Sequence, residues 1–181
     1  MLLDYVEGET LKHKIFDAAG PMLAAEIQKV TRAVCSALQF AHSEGLVHCD
    51  IKPANIMIDQ HGTVLLSDFG IARMTDAATA TMVGMGTPAY MAPEQAKGLN
   101  PSPKTDIYAY GIVLYEMLSG EMFHRQSSTF SQKMAAVVRR DAGLAQLCYL
   151  LLAPRDMRLQ SMDEVLAALD RQRRTPAPSR M

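Results

Sequence analysis

The sequence predicts an α+β fold that is mainly helical and contains one small β-hairpin. Three observations predict it. Across residues 23–41, apolar side chains recur at steps of three and four, which is the spacing of one helix face. Residues 107–118 are apolar nearly all round, as expected of a buried central helix. Two short apolar runs, 56–58 and 64–66, flank the turn sequence DQHG at 59–62, which is typical of a hairpin.

The N-terminal elements are predicted from turn and capping residues. Residues 1–6 have the pattern of a short strand or strand end, and residues 7–9 that of a turn which closes it. Thr10 can cap a short helix over residues 11–16, because its side-chain oxygen can accept a hydrogen bond from a free backbone N–H. Gly45 is expected to stop the first long helix, since glycine readily adopts the left-handed conformation at helix ends.

The C-terminal half is predicted to be helical, with one long loop before it. Residues 71–89 are rich in Thr, Ala and Gly without a sustained period, which favours a surface loop. Helices are expected over residues 133–140 and 144–152. Ser161 and Glu164 form a capping-box pattern, which predicts the start of a last helix.

Length and composition favour one soluble domain. The chain has 181 residues, of which 49% are hydrophobic and 20% charged. We expect one domain over residues 1–170 and a basic, disordered tail over 171–181. The formal net charge of −1 provides no overall field that would attract nucleic acid, so no such partner is expected. No apolar run is long enough to span a membrane, and the three cysteines show no paired spacing, which favours the reducing cytoplasm.

Two segments contain residues suited to phosphoryl transfer: HCDIKPAN at 48–55 and the DFG sequence that begins at Asp68. The reaction requires an aligned acceptor hydroxyl and neutralised phosphate charge. Asp50 can accept or orient the proton of the hydroxyl, and Lys52 can neutralise a phosphate oxygen. Asn55 and Asp68 offer the hard oxygen ligands that Mg²⁺ prefers beside phosphates.

Taken together, these segments resemble those of serine/threonine protein kinases, in the form found in bacterial kinases of the eukaryotic type. Segment 48–55 is similar to the catalytic loop, with Lys at the position typical of serine/threonine enzymes. The DFG sequence resembles the metal-binding segment, and GTPAYMAPE at 86–94 resembles the substrate-binding end of the activation segment. DIYAYG at 106–111 is similar to the start of the central kinase helix. The resemblance implies the large, mainly helical C-terminal lobe of a kinase over residues 1 to about 170.

The resemblance also implies the ligands and the residues that contact them. ATP would be the phosphoryl donor, Mg²⁺ its metal, and a protein bearing Ser or Thr the acceptor. The catalytic residues would be Asp50, Lys52 and Thr87, with Thr87 in contact with the other two. The residues that bind ATP would be Asp4, Val6, Lys52, Asn55 and Asp68, and those that bind the metal would be Asn55 and Asp68.

Three further residues are assigned structural roles by the resemblance. Glu94 would form an ion pair with an arginine near the C-terminus, best matched by Arg158. Asp106 would hold the backbone of the catalytic loop. Cys49 departs from the family, because kinases usually carry there an Arg that pairs with a phosphate on the activation loop.

Two functions remain open from the sequence. Residues 1–181 include neither the Gly-rich loop nor the phosphate-binding Lys of the kinase N-terminal lobe. In the first interpretation, the chain is part of an active kinase, completed by an upstream small lobe or by a partner, and the isolated chain is nearly inert. In the alternative, it is a noncatalytic, pseudokinase-like interaction module that binds a partner through the apolar face which a small lobe would cover.

Overall fold

The computed structural model describes residues 7–17, 20–69, 73–74, 87–124 and 130–174. In these residues it confirms the predicted α+β, mainly helical fold. The helices are α1 (Leu11–Phe16), α2 (Ala24–Ser43), α3 (Pro93–Ala96), α4 (Pro103–Ser119), α5 (Phe130–Arg140), α6 (Ala142–Leu152) and α7 (Met162–Arg174). The strands are β1 (Gly8–Thr10), β2 (Leu46–Val47), β3 (Ile56–Asp59), β4 (Val64–Leu66) and β5 (Arg73–Met74).

Helix α4 forms the centre of the core. Residues 105–118 are all buried, as the apolar run at 107–118 predicts. Helices α2, α5 and α6 pack against α4, and α7 packs against α2 and α6. The buried residues of α2 follow the predicted stripe, with Ile27, Val30, Val34 and Leu38 in the core. None of the helices in the described ranges combines the length and the apolar character that crossing a membrane requires.

The predicted hairpin is confirmed, but its sheet has one more strand. Strands β3 and β4 are antiparallel, with Ile56 opposite Leu66. Strand β1 pairs antiparallel with the other edge of β3, so the prediction of a turn at residues 7–9 was wrong. A Cβ atom at Gly8 would collide with the carbonyl oxygen of Ile58. Gly8 therefore permits a close approach of two strands, where the sequence pattern suggested a turn.

The predicted helix boundaries agree well with the structure. The side chain of Thr10 accepts a hydrogen bond from the backbone N–H of His13 at 3.2 Å, which caps α1 as predicted. Helix α2 is followed by Gly45, whose φ of 74° is the left-handed conformation expected at a helix stop. Helix α5 begins at Phe130, three residues before the predicted helix at 133–140, and the Phe130 ring stacks on Tyr115 of α4.

Two predicted segments fall largely outside the described residues. The predicted strand at 1–6 is one of them. Of the predicted loop at 71–89, only residues 73–74 and 87–89 are described. Residues 73–74 form β5, which pairs antiparallel with β2, so a short strand lies where the sequence predicted loop. A two-residue strand leaves too short a pattern to detect.

Helix α7 extends beyond the predicted domain end at residue 170. It continues to Arg174, so the first four residues of the predicted tail at 171–181 are helical. The side chain of Gln172 lies over Gly143 of α6, and basic residues at a helix C-terminus are favoured by the helix dipole. Residues 175–181 lie outside the described part of the chain, and their disorder stays a prediction.

Candidate active site

The catalytic-loop segment 48–55 is anchored to the start of helix α4. The buried carboxylate of Asp106 accepts hydrogen bonds from the backbone N–H groups of His48, at 2.8 Å, and Cys49, at 2.9 Å. Its Oδ2 also lies 2.8 Å from Nε2 of His42. The predicted role of Asp106 as the residue that holds the loop backbone is confirmed.

Cys49 has an uncommon backbone conformation directly before Asp50. Its φ is 68°, in the left-handed region that residues other than glycine rarely adopt. The hydrogen bond from its N–H to Asp106 holds this conformation, and its Sγ donates to the carbonyl oxygen of Val47 at 3.5 Å. Such strain persists where the surroundings over-determine it, and here it sets the direction in which the chain presents Asp50.

Four predicted site residues meet in one group, which we call the reactive cluster: Asp50, Lys52, Asn55 and Thr87. Lys52 Nζ lies 2.6 Å from Asp50 Oδ2 and donates to the Thr87 hydroxyl at 2.9 Å. The backbone N–H and the hydroxyl of Thr87 each lie 3.0 Å from Asp50 Oδ1. The Asn55 amide donates to the Asp50 carbonyl at 2.9 Å and to its Oδ2 at 3.1 Å. The predicted contacts of Thr87 with Asp50 and Lys52 are confirmed.

The reactive cluster keeps Asp50 ionised. Burial by itself would raise the pKa of this carboxyl, which is 8% exposed. The hydrogen bonds from Lys52 and Thr87, the positive charge of Lys52 and the bond from Asn55 together outweigh burial and lower the pKa below its ordinary value. Asp50 is therefore a weak base, which can take up a proton only when the proton donor has become strongly acidic.

The β3–β4 hairpin brings Asp68 back to the catalytic loop. The N–H and the hydroxyl of Ser67 donate to the backbone carbonyl of Asn55, at 2.9 and 3.2 Å. The His48 Nε2 lies 3.0 Å from the Ser67 carbonyl, and the His48 ring packs on Phe69 with 4.5 Å between centroids. Asp68 lies between these two anchored residues with a left-handed φ of 63° and an exposed side chain. The neighbours of Asp68 thus fix its backbone beside the loop.

The side-chain oxygens of Asn55 and Asp68 are of the type that Mg²⁺ prefers. Because Asn55 uses its amide nitrogen toward Asp50, its amide oxygen is the atom that remains for a ligand. Mg²⁺ is usually bound by one or two carboxylates together with phosphate oxygens and water. Within the described ranges, no group of three or more His, Cys, Asp or Glu side chains forms a metal site by itself. The metal-binding roles of Asn55 and Asp68 stay predictions, as do the ATP-binding roles of Asp4 and Val6, which lie outside the described residues.

A buried glutamate in contact with Tyr90 was missed by the sequence analysis. The Tyr90 hydroxyl donates to Glu116 Oε2 at 2.9 Å, and the Phe123 N–H donates to Oε1 at 3.0 Å. Tyr90 is connected in turn to Thr87, whose carbonyl accepts its N–H at 2.9 Å. Burial raises the pKa of Glu116, and the two hydrogen bonds offset this only in part. The available signal was one charged residue inside the apolar run 107–118.

The predicted ion pair between Glu94 and Arg158 is confirmed. The two side chains form a bidentate contact, with nitrogen–oxygen distances of 2.5 and 3.2 Å. Arg158 also donates to the carbonyls of Ala153 and Lys104, at 3.1 and 2.8 Å, and lies over the Tyr108 ring. Burial opposes the charge of Glu94, but the bonds and charge of Arg158 lower its pKa overall. The pair ties α3, at the end of the substrate-binding segment, to α4 and to the turn before α7.

Comparisons with known proteins agree with this geometry. The sequence profile of the protein kinase domain matches residues 1–171. The chain is 42% identical over 124 residues to the probable serine/threonine-protein kinase PknB of Bifidobacterium longum, an alignment that covers 66% of this chain and 18% of that protein. It is 41% identical over 124 residues to the serine/threonine-protein kinase PknB of Mycobacterium leprae, covering 67% and 20%. It is 41% identical over 122 residues to the serine/threonine-protein kinase PknL of Mycobacterium tuberculosis, covering 66% and 30%.

The chain thus spans less than a third of the length of each of these relatives. The matched region includes the catalytic loop, the hairpin and the helices that support them. The family that the motifs predicted is confirmed, and the chain belongs to the serine/threonine protein kinase family.

Proposed function

We propose that the full-length protein transfers the γ-phosphoryl group of ATP to serine and threonine hydroxyls of other proteins. The observation that supports this most directly is the pair formed by Asp50 and Lys52, 2.6 Å apart and both bound to Thr87. A carboxylate that can receive a hydroxyl proton lies beside a cation that can neutralise a phosphate oxygen. In-line phosphoryl transfer needs both groups at one place.

Each residue of the pair has a distinct task in this reaction. Asp50 orients the acceptor hydroxyl and takes its proton late, once the forming O–P bond has made that proton acidic. Lys52 holds an oxygen of the transferring phosphoryl group by its charge. Thr87 donates to Asp50 and accepts from Lys52, so it keeps both side chains in register with the substrate-binding segment.

Magnesium and ATP complete the proposal. Asn55 and Asp68 would hold Mg²⁺ through their side-chain oxygens, and the ion would neutralise the phosphate charge. Lys52, Asn55 and Asp68 form the phosphate end of the proposed ATP site, and Asp4 and Val6 belong to its adenine end.

The acceptor and the cellular compartment are proposed from other features. The acceptor is another protein that carries a Ser or Thr. Segment 86–94 of this chain would hold the acceptor so that its hydroxyl reaches Asp50. We place the protein in the reducing cytoplasm, because its cysteines are buried thiols and form no disulfide. Burial raises the pKa of Cys35 to about 12, so this thiol stays protonated and unreactive.

The proposal is tested by a transfer assay on the protein in its natural full-length form. Labelled phosphate should pass from ATP to a protein acceptor only in the presence of Mg²⁺. Asp50→Asn should lower the turnover by about 10²–10⁴-fold, the usual contribution of a positioned base. Asp170→Asn, a change of an exposed aspartate on α7, is the matched control and should leave the turnover unchanged. Undiminished transfer by Asp50→Asn would exclude Asp50 from the reaction.

The alternative function is a noncatalytic interaction module. The observation in its favour is the exposure of Leu65 and Phe69, each 37% exposed on or next to the β3–β4 hairpin. An apolar surface of this kind is suited to contact with a small lobe or another polypeptide. Calorimetric titration of the full-length protein with ATP and Mg²⁺ separates the two functions: absence of binding heat, together with absence of transfer, would favour the module.

A further inference from the structure

A cleft lies away from the reactive cluster, where the end of α2 faces the starts of α4 and α7. Its volume is about 540 Å³, within the range of roughly 300–1,000 Å³ that small-molecule sites occupy. We call it the α2–α7 cleft. The lining residues that matter for its chemistry are Gln39, Phe40, His42, Ser43, Gln160 and Asp163. No member of the reactive cluster lines it.

One wall of the cleft is an aromatic ring that faces solvent. Phe40 is 70% exposed, although large aromatic side chains are usually buried to a high degree. It lies on the last turns of α2, next to the buried stripe of that helix. The ring thus offers a flat apolar surface on which a planar ligand can stack.

Three polar side chains of the cleft donate to protein acceptors. Gln39 donates to Asp163 at 2.5 Å, Ser43 donates to the backbone carbonyl of Phe40 at 2.7 Å, and Gln160 donates to the carbonyl of Arg158. One N–H of each Gln amide and the Ser43 hydroxyl thus already serve protein acceptors, and the Ser161 hydroxyl oxygen accepts from the Glu164 N–H. The described lining residues include the carboxylate of Asp163 but neither Lys nor Arg. A ligand that complements the cleft therefore carries positive charge and N–H donors.

His42 supplies an independent sign of a ligand. Its side chain is only 9% exposed, and its Nε2 lies 2.8 Å from Oδ2 of Asp106. Because a carboxylate accepts hydrogen bonds, Nε2 carries a proton, and in the tautomer whose one proton is on Nε2 the other nitrogen, Nδ1, is an acceptor. Among the described residues, no group donates to the buried Nδ1. Buried polar atoms without a partner are uncommon, and a donor that enters the cleft would satisfy this one.

His42 also connects the cleft to the catalytic loop. The Asp106 carboxylate that contacts His42 accepts the backbone N–H groups of His48 and Cys49, directly before Asp50. A ligand that shifts the His42 ring would change the hydrogen bonds that Asp106 makes to this part of the loop.

We propose that the α2–α7 cleft is an effector site for a small aromatic cation with planar N–H donors, such as an amidinium or a guanidinium. The aromatic part stacks on Phe40, and the donors bind Asp163 and His42. The catalytic loop senses occupancy of the cleft through His42 and Asp106. The proposal goes beyond phosphoryl transfer and does not depend on it.

Binding is tested by titrating benzamidine into the ¹⁵N-labelled 181-residue chain and following the amide signals. Benzamidine should bind saturably, and benzamide, which has a similar shape without the charge, should bind about tenfold more weakly. Asp163→Asn and Phe40→Ala should each weaken benzamidine binding by about tenfold. Two matched controls should leave it unchanged: Leu23→Ala at the other end of α2 and Asp170→Asn near the other end of α7. Wild-type affinity for benzamidine in the Phe40→Ala and Asp163→Asn variants, or benzamide binding as tight as that of benzamidine, would overturn the site.

The connection to the loop has its own readout. In the wild-type chain, the amide signals of His48 and Cys49 should shift with benzamidine occupancy. His42→Gln keeps a side-chain N–H that can reach Asp106 but removes the ring. In this variant the two shifts should be lost, while benzamidine still binds saturably, with lower affinity, through Phe40 and Asp163. If both signals respond as in the wild type, or never respond at all, the connection is refuted. Since the titration contains neither nucleotide nor acceptor, a failure of the proposed kinase activity would leave this result unaffected.

Discussion

Asp50–Lys52 and Glu94–Arg158 are both carboxylate–cation pairs, but they differ in their access to solvent. The side chain of Lys52 is 25% exposed, whereas those of Arg158 and Glu94 are 0% and 5% exposed. Water and substrate can replace a partner of the first pair. No such replacement is available to the second pair, which also binds backbone carbonyls. The two pairs thus share their chemistry but differ in their surroundings: the first borders solvent through Lys52, and the second is enclosed in the interior.

The largest expected effect follows from breaking the buried pair. Arg158→Met removes the cation that binds the buried Glu94 carboxylate and leaves only the more distant charge of Arg155, so it should lower the free energy of unfolding by about 3–5 kcal/mol. Urea denaturation followed by circular dichroism measures this change. Arg139→Met, a change of an exposed arginine on α5, is the control and should have an effect below about 0.5 kcal/mol.

A double variant identifies the cause of that loss. If the uncompensated charge of Glu94 is responsible, Glu94→Gln combined with Arg158→Met should be less destabilising than Arg158→Met alone. Additive losses in the double variant would instead assign the effect to the lost packing of Arg158 on Tyr108.

The second prediction concerns Asp106, the buried carboxylate that supports the loop. Among the described residues, neither Lys nor Arg is paired with it. Asp106→Asn places an amide NH₂ against either the backbone N–H groups of the loop or His42. The expected loss is about 2–3 kcal/mol in the free energy of unfolding, because a buried donor then faces another donor. Amide hydrogen exchange at His48 and Cys49 should become faster by the factor that corresponds to this loss of free energy. Unchanged protection at both amides would contradict the anchoring role.

The contributions of Glu94 and Glu116 to stability should change with pH in opposite directions. Both glutamates are buried, but the pKa of Glu94 is lowered by Arg158, whereas burial raises the pKa of Glu116. A lowered pKa contributes stability above the ordinary value of 4.5, and this stability is lost as the pH falls through the folded-state pKa. A raised pKa has the opposite sign: stability declines as the pH rises from 4.5 toward the folded-state pKa.

Urea midpoints between about pH 3 and pH 7 test these signs. In Glu94→Gln, the urea midpoint should fall less steeply than in the wild type as the pH decreases below 4.5. Glu116→Gln should flatten the decline above pH 4.5 and leave the acid side as it is in the wild type. Identical pH profiles for the two variants would show that the cation beside Glu94 does not govern its ionisation.

The elements that the sequence predicted well depend on local patterns. The helix stripe of α2, the cap at Thr10 and the hairpin at 56–66 are set by residues a few positions apart. The reactive cluster was predicted as a group because Asp50, Lys52 and Asn55 are close in the chain and the family resemblance supplied Thr87. The distant pair of Glu94 and Arg158 was likewise found only through that resemblance.

The features that were missed depend on contacts between distant segments. Strand β1 requires the close approach of Gly8 to β3, and the sequence around Gly8 is equally suited to a turn. Glu116 receives its donors from Tyr90 and Phe123, which nothing in the helix pattern specifies. The α2–α7 cleft is formed where three helix ends meet, so no single segment carries its signature.

The smallest expected effect on stability belongs to the residue with the largest expected effect on chemistry. Asp50→Asn removes the charge next to Lys52, but the Lys52 ammonium can turn to solvent and the Asn side chain still offers one oxygen to Thr87. The new NH₂ group still faces the Asn55 amide donor, so the free energy of unfolding should fall by about 1–2 kcal/mol, less than for Asp106→Asn or Arg158→Met. Urea denaturation beside Arg158→Met gives the direct comparison. A loss as large as that of Arg158→Met would mean that the reactive cluster also holds the fold together, and a fall in turnover could then no longer be assigned to the missing base.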